Sequence, residues 1–102
     1  EELRREYNIR VDIISQLANK AQRIYEEYKI EYDYHQELVD EFNRKYAGRS
    51  VSSASQVYKD KIEAQLAIVK EKEGRLYQLR ELVDDQQREL EKIVSEMKGL
   101  TS

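Results

Sequence analysis

The sequence predicts an all-α protein: two long helices in an antiparallel coiled-coil hairpin, with hairpins pairing into a four-helix assembly. Three observations carry this. Each half of the 102-residue chain holds an apolar stripe whose steps alternate between three and four residues. That is the heptad rhythm of a helix that keeps one face toward a partner. Between the stripes, Ala47-Gly48-Arg49-Ser50-Val51-Ser52-Ser53 is a run of mostly poor helix formers. Further apolar residues flank both stripes, more than a two-stranded seam needs.

Helix 1 is expected over residues 3–47. Its stripe reads Tyr7, Val11, Ile14, Ala18, Ala21, Tyr25, Tyr28, Tyr32, His35, Val39, Phe42 and Tyr46. Arg44 and Lys45 place cations in its last turn, and Gly48 suits the left-handed position just past the helix end. The turn is expected over 48–53. Ser53-Ala54-Ser55-Gln56 reads as a capping box, with the Ser53 hydroxyl on the third amide and Gln56 reaching back.

Helix 2 is expected over 54–98, closed by Gly99. Its stripe is Tyr58, Ile62, Gln65, Val69, Lys72, Leu76, Leu79, Val83, Gln86, Leu90, Ile93 and Met97. Folding the chain back near residue 50 brings the stripes level as Phe42/Tyr58, Val39/Ile62, Tyr32/Val69, Tyr25/Leu76, Ala18/Val83 and Val11/Leu90. His35 then lies level with Gln65, a polar layer in the seam. Lys72 is expected to carry its ammonium past Tyr28 to water. Gly74, inside helix 2, falls on the outer face. The flanking residues Leu17, Ile24, Leu38, Leu66, Ile68 and Leu82 form a second stripe, expected to be covered by another pair of helices.

Composition narrows the function. Charged residues make up 38% of the chain, too many for an ordinary compact core and suited to helices that bury only a stripe. Net charge is −3, and neither half is basic, which argues against phosphate-neutralising nucleic-acid binding. No apolar run approaches a membrane span, and no signal peptide is visible, so a cytoplasmic location is favoured. Disulfides are excluded because the chain has no Cys. It begins at Glu1 without Met and is expected to be a segment of a larger protein.

The residues that carry chemistry do not converge. His35 is the lone histidine, four residues from Glu31, and there is no Glu-x-x-His pair of the kind that builds bundle metal centres. There is no nucleophile–base pair and no Gly-rich phosphate loop. The acid-rich segment 26–41 reads as a solvated face. The expectation is therefore a non-enzymatic interaction or scaffold module without cofactor, metal or small-molecule substrate. Its partner would be a protein or a second copy, with a homodimer favoured.

One family resemblance bears on the alternative. Tyr46-Ala47-Gly48 lies at the turn, and Tyr77-Gln78-Leu79-Arg80-Glu81 lies in helix 2. This resembles the small two-helix hairpins exported by type VII secretion, which carry Trp-x-Gly in the turn and Tyr-x-x-x-Asp/Glu in the second helix. The first motif departs at its Trp. The resemblance implies the same hairpin architecture and a secreted helical partner as the function.

Overall fold

The computed structural model describes residues 1–48 and 52–101 (for 101 the backbone alone). Arg49, Ser50 and Val51, the middle of the expected turn, lie outside the described residues. Two α-helices make up 96% of what is described: α1 (Glu2–Tyr46) and α2 (Ser53–Thr101). They run antiparallel and pack against each other, as the heptads predict.

Helix α1 contains neither Gly nor Pro. Glu2 lies in its first turn and Arg44 and Lys45 in its last, each sign matched to the helix dipole. The Ala47 amide donates to the Asn43 carbonyl at 3.1 Å, and Gly48 follows at φ +72°. A β-carbon is strained at that angle, so the chain stops here with the residue that lacks one.

The start of α2 differs from expectation by one residue. Ser52, not Ser53, is the cap: its Oγ accepts from the Ser55 amide at 3.2 Å, and its own amide donates to Ser55 Oγ at 2.8 Å. The reciprocal partner is thus Ser55 rather than Gln56, whose side chain instead donates to Asp60. Burial decides between them, because Ser55 is enclosed while Gln56 is exposed. The far end also differs. The helix passes through Gly99 to Thr101, so Gly99 is an interior residue and not a cap.

The paired helices divide into two compact units. One comprises Ile24–Arg75, the inner halves of both helices with their connection; the other comprises Glu1–Arg23 with Leu76–Ser102. In the inner unit the buried apolar residues are Ile24, Leu38 and Val69; in the terminal unit they are Leu79 and Ile93.

Candidate functional site: the seam and its flanks

The stripe expected on α2 is the one that the structure encloses. Every member from Tyr58 to Met97, including Ile62, Gln65, Val69, Leu76, Val83 and Leu90, is buried or half-buried. The α1 stripe is enclosed at two-thirds of its positions. Tyr7, Ile14, Ala21, Tyr28, His35, Val39, Phe42 and Tyr46 are half-buried as expected. Four other members are not at the seam centre: Val11, Ala18, Tyr25 and Tyr32 are exposed. Their places are taken by the residues one position earlier.

Those residues are Arg10, Leu17, Ile24 and Glu31, and the same steps of seven run on to Leu3 and Leu38. Leu17 is half-buried, and Ile24 and Leu38 are the buried apolar residues of α1. This corrects the expected partner interface. Leu17, Ile24 and Leu38 belong to the intrachain seam, and of that set Leu66, Ile68 and Leu82 stay exposed. The physical reason is side-chain shape and polarity. Leu and Ile fill a narrow interhelical layer without a polar atom. A tyrosine is better placed at the edge, where the ring packs and the hydroxyl stays wet.

Two polar layers complete the seam. In the inner unit, the buried Gln65 amide donates to the Glu31 carbonyl at 2.9 Å and to the Glu31 carboxylate. In the terminal unit, Arg10 donates to Gln86 Oε1 at 2.8 Å. Gln65 therefore turns to Glu31, one helical turn from His35, the residue expected level with it. Lys72 does not simply reach water but pairs with Glu27 at 3.0 Å. Arg10 and Glu31 are twenty-one residues apart, and so are Gln65 and Gln86, so each glutamine meets a charged α1 residue at one common register.

The connection end carries an aromatic cluster. Phe42 and Tyr46 lie 5.4 Å apart between ring centroids, and Tyr46 and Tyr58 lie 5.7 Å apart. Lys45 and Lys61 sit over the Tyr58 ring, and Lys59 over Phe42. Lys45 donates to the Tyr58 hydroxyl at 3.0 Å and pairs with Glu41 at 3.5 Å. The Tyr58 hydroxyl holds the Glu41 carboxyl below its ordinary value, with Lys45 assisting. The same hydroxyl, then Glu41, raises Lys45. Both groups are exposed, so the cluster orders the surface and carries little stability.

Along the edge of the seam in the inner unit, Tyr25, Tyr28 and Tyr32 of α1 form a ladder. Consecutive ring centroids are 6.3 and 6.0 Å apart, with planes tilted by 33° and 32°. Two open depressions on the terminal unit are each lined by α1 alone, one around Ile9 and one around Leu17. Among the described residues, no group of three or more His, Cys, Asp or Glu could hold a metal ion. No described helix is long and apolar enough to cross a membrane. No family model, curated protein or solved structure matches the chain.

Proposed function

We propose that the chain is a non-enzymatic coiled-coil interaction module that self-associates through surface its own pairing leaves uncovered. The observation that supports this is large apolar side chains left exposed after the seam has closed. Tyr25, Tyr32, Leu66, Ile68 and Leu82 flank the seam without entering it. The accessible surface is also large. It amounts to 7954 Å². A stable interface takes roughly 800 Å² from each partner, so there is room for one.

Light scattering across a concentration series tests the reading. The expected result is a mass that doubles from monomer to dimer as concentration rises through the micromolar range. A monomer at every concentration into the high micromolar range rejects self-association and leaves the module reading to a different protein partner.

A further inference from the structure

The seam is not closed equally well in the two units. In the inner unit both helices contribute buried residues: Ile24 and Leu38 on α1, and Ser55, Gln65 and Val69 on α2. The Gln65 amide makes two bonds to Glu31, and Lys72 pairs with Glu27 across the helices. Tyr46 packs on Tyr58 beside the connection. Among the described residues of the terminal unit, the buried ones, Leu79 and Ile93, both belong to α2. The α1 side of that seam, Leu3, Tyr7, Arg10, Ile14, Leu17 and Ala21, is half-buried throughout.

Two of those α1 residues weaken their layers. Arg10 brings a guanidinium into the seam and donates it to the neutral Gln86 side chain, itself only half-buried. A charge drawn from water toward a neutral partner stabilises less than an apolar layer does. Ala21, near the inner edge of the unit, offers a single methyl group and so little area to bury.

Connectivity sets an order of opening. The segments paired in the inner unit are joined by a short connection, so little loop entropy opposes their pairing. Those of the terminal unit are separated in sequence by the whole of Ile24–Arg75. Pairing of the inner unit supplies most of that closure, and the terminal unit paired alone would bear the longer loop by itself. Gly74 marks the border on α2. It adjoins Arg75, the last α2 residue of the inner unit, and an added Cβ would meet nothing within 4 Å, so no contact requires glycine there. Glycine is a poor helix former, so an unpaired α2 gives way most readily at this residue.

We infer that the terminal unit is a clasp, which opens cooperatively while the inner unit stays paired. Opening bares Leu79 and Ile93 and leaves the aromatic cluster at the connection in place. It takes place within one chain and does not depend on self-association. Cooperative units of this kind open at free energies below that of global unfolding.

Native-state hydrogen exchange of the whole chain, followed by mass spectrometry in dilute solution at a series of sub-denaturing urea concentrations, tests this. Amides of 6–20 and 79–97 are expected to exchange through one shared opening. They should exchange about 100-fold faster than those of 27–45 and 58–72, with a smaller urea dependence because less surface is exposed. Protection on α2 should step down within a turn of Gly74. Val69→Ala removes two methyl groups from a buried inner residue. It should speed the inner amides about tenfold and leave the terminal amides within about threefold, because opening the clasp does not break that layer. Ile93→Val should speed both sets alike, about fourfold, because global unfolding includes the clasp. Equal rates and equal urea dependence in the two sets would mean one cooperative hairpin and overturn the clasp. So would protection that declines smoothly from the connection to the helix ends, which is fraying without a unit. A terminal set that Val69→Ala speeds as much as the inner set would overturn it as well.

Discussion

At the scale of residues, position on the heptad decides which side chains carry stability. Leu38 is 6% exposed and Ile30 68%, although both are aliphatic residues of the same helix. Leu38→Ala should destabilise by about 2–3 kcal/mol, the transfer term plus a cavity that a narrow two-helix layer partly closes. Ile30→Ala should stay within about 0.5 kcal/mol, as an ordinary surface change. Urea melts of the two variants compare them directly, and equal shifts would mean that Leu38 is not seam. The Glu41–Tyr58–Lys45 cluster gives a titration test. Glu41 lies below its ordinary value of 4.5 because the Tyr58 hydroxyl bonds its charged form. A depressed carboxyl contributes its stability above the unfolded value, and that contribution disappears as pH falls through the folded one. Lys45 has the opposite sign. Its raised value gives a contribution present below 10.5 and lost as pH rises through the folded value. Tyr58→Phe removes the hydroxyl that both share. The Glu41 midpoint followed by NMR should then move up toward 4.5 and the Lys45 midpoint down toward 10.5. Unmoved midpoints would place the perturbation elsewhere.

At the scale of elements, the polar layers set the register and the glycines set the margins. If α2 slipped by one heptad in either direction, Gln65 would face Ile24 or Leu38 and Gln86 would face Leu3 or Leu17. Each slip buries two amides against hydrocarbon, which disfavours it more than its apolar contacts reward it. Gln65→Leu with Gln86→Leu should therefore raise the melting temperature or leave it unchanged. The same change should broaden the register, seen as new spin-label distances between α1 and α2. A single sharp distance would show that the layers are dispensable. Gly74 lies inside α2, and an added Cβ meets nothing within 4 Å. Gly74→Ala should stabilise by about 0.5–1 kcal/mol through helix propensity alone. The two helices, their antiparallel pairing, the glycine stop and the α2 seam were legible in the sequence, because on α2 the apolar residues between Gln65, Lys72 and Gln86 keep to one stripe. On α1 two neighbouring stripes compete. The stripe that the structure buries contains Arg10 and Glu31, while its neighbour contains Val11 and Tyr32. A search for apolar periodicity prefers the second. The missed signal was the matched twenty-one-residue spacing of Arg10 with Glu31 and of Gln65 with Gln86, which gives the two charged α1 residues amide partners on the facing helix. The cap was misplaced for a smaller reason. Ser52, Ser53 and Ser55 all suit a helix start, and only burial of Ser55 selects the pair.

At the scale of the whole molecule, stability and association are linked. A dimer that forms only from folded chains draws the folding equilibrium toward itself, and the effect grows with concentration. At a free chain concentration about 100 times the dissociation constant, such linkage contributes about 2.7 kcal/mol. The thermal midpoint of the wild-type chain should therefore rise by several degrees between about 5 and 500 µM. The helical signal at low temperature should stay constant across the series, because each chain closes its own seam before it meets another. Charge sets the salt dependence. Each chain carries net charge −3, so two copies repel at long range. Salt weakens this repulsion, since the screening length falls to about 10 Å at 0.1 M. Raising salt should thus strengthen the dimer modestly and lift the midpoint at high concentration more than at low. A midpoint independent of concentration would mean that the chain does not self-associate at these concentrations. A dimer that salt dissolves would mean that its contacts are mainly ionic and that the exposed apolar side chains do not hold it.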